Sequence, residues 1–237
     1  MSTTLKYLDN TYLFASEAKV LEIRQTEKGT AVVLDETIFY PQGGGQPADI
    51  GKISSQSATF TVSDVRLDEN GGVLHYGQFE TGNFQKGDAV KLEINADRRK
   101  LNAKLHSAAH LIDVAVEMIG MPIIAPTKGY HFPEGPYVEY DGEIDDAASY
   151  VPKLEEKVNE LIAQKIAVEK KNYSPDEAIR KGLRAPAGKS VRTVAFSGNA
   201  EVGCGGTHVE NSGEIGGITI RKISSKKGTT KVSYQVK

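Results

Sequence analysis

The hydrophobic period of this chain changes once, near Asn95, and that change commits the two halves to different architectures. Before it, apolar residues recur at every second position in short runs. KVLEIRQ, TAVVLDETIFY, ATFTVSDVRL, GVLHYGQF and AVKLEIN are rich in β-branched and aromatic residues, and glycine-, proline- and aspartate-rich turns separate them. In AVKLEIN, Val90, Leu92 and Ile94 alternate with Lys91 and Glu93, as a half-buried strand requires. Several short strands at this spacing predict a small barrel or sandwich over residues 1–94.

Beyond Asn95 the period becomes helical. Leu101, Leu105, Ala108, Ile112, Ala115 and Ile119 mark a long helix with Asp97 as its expected N-cap. A second helix is expected from about Val151, with Leu154, Val158 and Leu161 on one face. A third should start at Ser174-Pro175-Asp176. ITIRKI and KVSYQV return to strand alternation at the C-terminus. The fold class read from this pattern is α+β. A small N-terminal β-barrel domain over 1–94 precedes an α+β domain over 95–237 with a central antiparallel sheet.

Bulk chemistry narrows the function classes. Lys+Arg (29) nearly balances Asp+Glu (31), so global charge does not announce a polyanionic partner, although a local basic patch would suffice for one. No apolar run approaches the ~18 residues of a membrane span, so no membrane partner is expected. The N-terminal MSTTLKYLDN lacks the apolar core of a signal peptide. The single cysteine excludes an intrachain disulfide; together these features predict a reducing, cytoplasmic setting.

The residues that carry chemistry fall in two pairs. LHSAAHLID places His106 and His110 four apart on one helical face, about 5–6 Å apart at Cβ, where two imidazoles can bite one ion. GCGGTHVE places Cys204 and His208 four apart around a glycine pair that argues against a helix and lets both side chains fold toward one point. Three of the five histidines and the only cysteine therefore pair at metal-ligand spacing. An imidazole–thiolate set suits Zn²⁺, one per chain. Either a catalytic ion or a closed structural one would use such a set.

These motifs resemble a known family. HSAAH followed far downstream by CGGTH is similar to the editing domain of alanyl-tRNA synthetase and its free-standing relatives, the AlaX proteins. TIFYPQGGGQPADIG (37–51) resembles that family's glycine-rich segment, and KGYHFPEGPYVEYDG (128–142) a stretch of the stand-alone members. The resemblance runs from about Val33 to Val236. The chain departs from it in lacking Trp before the long helix and in its Gly228-Thr229-Thr230-Lys231 turn.

The resemblance implies a zinc-dependent, trans-acting aminoacyl-tRNA deacylase. It would hydrolyse the ester of mischarged tRNA(Ala), with serine first and glycine second as the wrong amino acid. On this reading His106, His110, Cys204 and His208 hold the metal. Gln46 and Thr37 act on substrate, Thr37 reading a seryl hydroxyl. Gly43, Gly44 and Gly45 bring backbone N–H groups close to the ligand. Arg98, Arg99 and Lys104 meet tRNA phosphate at the acceptor end, and His131 lines the pocket. A second basic cluster, Arg221, Lys222, Lys226 and Lys227, lies near the C-terminus. The alternatives are a small-ester or amide hydrolase on the same scaffold, and a non-catalytic tRNA-binding module with structural zinc. A monomer and a homodimer are both compatible with the sequence.

Overall fold

The computed structural model describes residues 2–123, 125–183 and 190–237. Its backbone groups into two compact units, Met1–Leu101 and Asn102–Lys237.

In the first unit, six antiparallel strands close into a barrel. Two-residue strands β1 (Thr4–Leu5) and β4 (Glu36–Thr37) pair in parallel outside it. The barrel strands are β2 (Ala15–Thr26), β3 (Gly29–Leu34), β5 (Gly51–Ser54), β6 (Thr59–Leu67), β7 (Val73–Thr81) and β8 (Ala89–Ile94). They hydrogen-bond in the order β2-β3-β7-β6-β5-β8, and β8 returns to β2. Alternation decides which side chains fill the interior: along β8, Val90, Leu92 and Ile94 are buried while Lys91 and Glu93 are exposed. Val32, Leu34, Ile53, Phe60 and Val65 join them in one core. Only β5 carries no alternation to mark it, having Ile53 as its sole apolar residue.

Helix α1 (Ala96–Met118) begins in this unit and continues into the second. Its cap is Asn95, whose side-chain oxygen accepts from Arg98 N at 2.9 Å, and not Asp97 as expected. Asp97 falls in the first turn, where a carboxylate still complements the helix dipole.

The second unit is built on a four-stranded antiparallel sheet. Its strands are β9 (Pro126–Tyr130), β10 (Tyr137–Asp141), β14 (Ile218–Lys226) and β15 (Thr229–Val236), in the order β14-β15-β10-β9. One sheet face packs against α1 and α2 (Tyr150–Ala163) through Val138, Tyr140, Ile220, Ile223, Val232 and Tyr234. Leu105, Leu111 and Ile112 of α1 and Leu154, Val158 and Leu161 of α2 meet them. A three-stranded sheet of β11 (Val168–Tyr173), β12 (Val191–Phe196) and β13 (Val202–Gly203) completes the strands described. Helix α3 (Pro175–Arg180) starts at a capping box in which Ser174 and Glu177 satisfy each other's backbone N–H.

Candidate metal centre

The second unit draws four metal-ligating side chains to one point. α1 supplies His106 and His110, one turn apart, with ring centroids 5.2 Å apart and nearly parallel. The loop after β13 supplies Cys204 and His208. Arg192 of β12 shapes that loop: its Nη1 donates to Cys204 O at 2.7 Å and Gly206 O at 3.1 Å, and Cys204 N donates back to Arg192 O at 2.9 Å.

One donor atom from each of His106, His110, Cys204 and His208 lies within 4.8 Å of the others. Cys204 Sγ is 3.4 Å from His106 Nε2 and 3.2 Å from His208 Nε2. Tetrahedral zinc bonds of roughly 2.3 Å to sulfur and 2.0–2.1 Å to nitrogen imply ligand-to-ligand edges of about 3.4–3.6 Å, close to these separations. His110 Nε2 is buried and has no hydrogen-bond partner among the described residues. A buried lone pair without a donor is costly, and a cation is the partner that this donor set would accept.

Electrostatics prepares the same state. Burial pushes His110 down to about 4 and holds His106 and His208 well below the ordinary imidazole range. The rings are therefore neutral at pH 7, as metal ligation requires. Burial pushes the Cys204 thiol up, against the opposing pull of the Gly206 N–H and the Arg192 charge. Without a cation at the cluster the thiol keeps its proton.

Surrounding groups orient these rings. His208 Nδ1 lies 3.2 Å from Ser107 Oγ, which also accepts from Val209 N at 3.1 Å. His110 Nδ1 faces Asp113 Oδ2 at 3.9 Å. Asp113 accepts from the Tyr140 hydroxyl at 2.6 Å, yet burial pushes its carboxyl up to about 7. His131 stacks on His106 at 4.5 Å, and its Nδ1 sits 3.0 Å from the Tyr234 hydroxyl. Because that hydroxyl donates to Leu105 O at 2.9 Å, the ring must donate to Tyr234, which fixes its tautomer. Sequence patterns had singled out none of Ser107, Asp113, Tyr140, Arg192 or Tyr234 for the site. Asp113, three residues past His110, was the one with a helical-spacing signal.

A cavity of about 450 Å³ opens beside His110. Asp113 and Glu117 give it a polar side; Val114, Tyr140, Phe196 and Val202 are among its apolar walls.

The other residues singled out in the sequence fall elsewhere. Gly43–Gln46 is a tight turn closed by a reciprocal pair of backbone hydrogen bonds, with Gly44 and Gly45 both at positive φ (52° and 78°). Two successive positive-φ positions favour glycine, and the Gly44-Gly45 pair enters this primed turn without strain. Its tip is exposed, whereas Gln46 is buried. Thr37, expected to read a substrate hydroxyl, is also fully buried. His75 Nδ1 donates to Val32 O, so Nε2 accepts from the Thr37 hydroxyl at 2.8 Å, and Thr37 accepts from Phe39 N at 3.0 Å. Its side chain is spent on the barrel.

Arg99 corrects another expectation. It is fully buried, with its guanidinium on Asp49 and on the carbonyls of Thr11 and Ile38, so it holds the first unit together and presents no donor to phosphate. Arg98 is half-buried and donates from Nε to Ala48 O at 2.9 Å. Lys104 is half-buried, and His131 is buried within the second unit. Among the described residues, no helix is long and apolar enough to cross a membrane.

Comparison with known proteins agrees with this architecture. Residues 3–98 match the family of class II (A) tRNA synthetases. Residues 191–231, which include Cys204 and His208, match the second additional domain of threonyl and alanyl tRNA synthetases. Both family descriptions name tRNA synthetases. The alanyl-tRNA editing protein AlaX-M of Methanosarcina barkeri is 34% identical over 99% of this chain and 98% of its own length. AlaX-L of Pyrococcus horikoshii is 29% identical over 93% of this chain, which spans 54% of that protein. The alanine–tRNA ligase of Haloquadratum walsbyi is 32% identical over 86% of this chain and 22% of its own length. The chain belongs to the alanyl-tRNA editing protein family.

Proposed function

We propose that this protein is a trans-acting deacylase that hydrolyses the ester of mischarged tRNA(Ala), with seryl-tRNA(Ala) as the first substrate and glycyl-tRNA(Ala) as the second. The observation that carries the reading is the convergence of His106, His110, Cys204 and His208 from two segments nearly a hundred residues apart. Membership of the family supports it, and the relatives' names supply the tRNA.

The four side chains would hold one Zn²⁺. When bound, zinc supplies a Lewis acid next to the ester carbonyl. The protein's own groups do the rest. Ser107 accepts from His208 Nδ1 and so aims Nε2 at the metal position. Asp113 lies 3.9 Å from His110 Nδ1, on the ring's side away from Nε2. The cavity beside His110 falls in the size range of small-ligand sites, large enough for the acylated terminal nucleoside. Within it, the Asp113 carboxylate, which also accepts from the Tyr140 hydroxyl, is the acceptor proposed to take a proton from the attacking water. Polar groups there would also discriminate: an alanyl ester leaves unpaired a donor or acceptor that a seryl hydroxyl satisfies. In the first unit, the Gly43–Gly45 turn and Arg98 are proposed contacts for the tRNA backbone; in the second, Lys104 is one.

The test is deacylation of Ser-tRNA(Ala), Gly-tRNA(Ala) and Ala-tRNA(Ala) by the wild type and by Cys204→Ala. Hydrolysis of the first two, sparing of the third and loss in the variant are expected. Wild-type inactivity on both mischarged substrates would overturn the reading. The number of protein donors, four, favours a second reading in which the ion is structural. A chelated protein that unfolds would select it.

A further inference from the structure

The four-stranded sheet of the second unit has an outward face that the proposed chemistry does not use. Register defines it. Tyr130 of β9 pairs with Tyr137 of β10, Tyr137 with Ser233 of β15, and Ser233 with Lys222 of β14. Residues paired across strands share a face, and their neighbours Val138, Val232 and Tyr234 are buried on the opposite one. The adjoining outward row is Lys128, Glu139 and Lys231.

The rings on this face form a ladder. Tyr137 stacks on Tyr130 at 5.3 Å and 17°, and Tyr130 on Phe132 at 4.6 Å and 14°. Cations close one end: Lys231 Nζ lies 3.3 Å from the Tyr137 ring centroid and Lys128 Nζ 5.9 Å. At the other end, among the described residues, Phe132 has Tyr130 as its one ring partner. Lys128, Arg221 and Lys222 are exposed, and Arg221 reaches toward Gly135, three residues past Phe132. Glu134, Glu139 and Asp141 are acidic groups on or beside this face, against Lys128, Arg221, Lys222 and Lys231. Parallel half-buried rings with a surplus of cations are what an unpaired nucleic-acid strand binds: bases extend the stack and phosphates meet the lysines. A protein partner would gain little from the charge, and a membrane little from so small an apolar surface.

We infer that this face binds an unpaired RNA strand that crosses it, its bases stacking on the Phe132–Tyr130 end of the ladder and its phosphates running over Lys128, Lys231 and Lys222. β9 is the edge of the sheet, so the ladder runs toward an open side. His131, between Tyr130 and Phe132 in sequence, turns to the other face and stacks on His106. A strand leaving the ladder at Phe132 therefore has a short path around β9 to the metal centre. That the strand is the substrate's own 3′ end rests on the function proposed above; affinity of the face for unpaired RNA does not.

The test is fluorescence anisotropy with a labelled eight-nucleotide single-stranded RNA and a duplex of equal length. The wild type, Tyr130→Ala/Phe132→Ala and Lys128→Ala/Lys231→Ala are compared, with near-UV and far-UV circular dichroism as the folding control. We expect wild-type preference for the single strand and a loss on the order of tenfold or more in the aromatic variant. The lysine variant should lower the salt slope of log affinity by about 1.4, two phosphates' worth. It changes only exposed or half-exposed charge, so it keeps the test open if the aromatic variant misfolds. Equal binding of duplex, or of a heparin polyanion, with no effect of the ring substitutions would overturn the stacking assignment. No wild-type binding to the single strand would overturn the inference altogether. If wild-type deacylation fails while the RNA result holds, the proposed function is wrong and the binding face stands.

Discussion

The imidazole of His131 lies over that of His106, centroids 4.5 Å apart and planes 24° from parallel, although one follows strand β9 and the other sits on helix α1. The contact depends on Gly129: a Cβ there would meet His131 Nε2 at 2.5 Å and Cε1 at 2.6 Å. With Tyr234 holding Nδ1, the His131 ring keeps His106 in one plane. His131→Ala and Gly129→Ala should each weaken zinc binding by on the order of tenfold, as loss of an orienting neighbour does. His131→Phe, which keeps the stack, should recover most of it. Competition against a chromophoric chelator measures all three; unchanged affinity in both alanine variants would remove the orienting role.

Metal content offers the plainest check on the centre. Elemental analysis should find one zinc per chain in the wild type and well under that in Cys204→Ala and His110→Ala. In His110→Ala the partnerless Nε2 disappears with the ring, so this variant should keep its fold by circular dichroism while losing deacylation. Retention of full metal by His110→Ala would exclude it as a ligand.

The Arg99–Asp49 pair should dominate the stability of the first unit. Both side chains are buried, and Asp49 also accepts from Tyr40 N at 2.7 Å. Asp49→Asn leaves a buried guanidinium without its counter-charge, a loss of about 3–5 kcal/mol. Urea unfolding reads this directly. A cost under 1 kcal/mol would mean that the carbonyls of Thr11 and Ile38 alone satisfy Arg99.

His75 gives the protein an acid limit. Burial pushes its folded value down to about 4 from an ordinary 6.5, so the folded state resists protonation that the unfolded chain accepts. The contribution is fully present above pH 6.5 and is lost as pH falls toward 4. At 1.36 kcal/mol per pH unit it amounts to about 3 kcal/mol. Measured with chelator present, so that metal release does not add to the slope, stability should fall across this window. The decline should be shallower in His75→Gln.

Thr37→Val tests whether its hydroxyl serves the barrel or the substrate. The substitution strips the donor from His75 Nε2 and the acceptor from Phe39 N, at about 1–3 kcal/mol. Stability should drop while the seryl-over-alanyl preference holds. A changed preference at unchanged stability would return Thr37 to the substrate.

Local pattern carried much of this protein. The strand period through Ile94, the helical period after it, the capping box at Ser174 and the two histidines one turn apart all depend on neighbours within a few residues. Such periodicities are written in the sequence because backbone geometry imposes them. The spacing of Cys204 and His208 marked them as a second ligand pair, and the family resemblance joined the two pairs in one site.

What only the tertiary structure decided concerns burial and the company each side chain keeps. Arg98 and Arg99 are adjacent basic residues in the same first turn of α1, yet helical geometry turns one partly outward and seals the other on Asp49. Thr37 and His75, 38 residues apart, meet because the β3–β7 pairing sets His75 beside Val32, and Thr37 follows β3 by three residues. Ser107, Asp113, Arg192 and Tyr234 surround the four proposed ligands through contacts up to about a hundred residues long. A sequence states which groups can bind, donate or titrate. Folding fixes which of them are dry, which are already satisfied, and which, like His110 Nε2, keep a lone pair for something else.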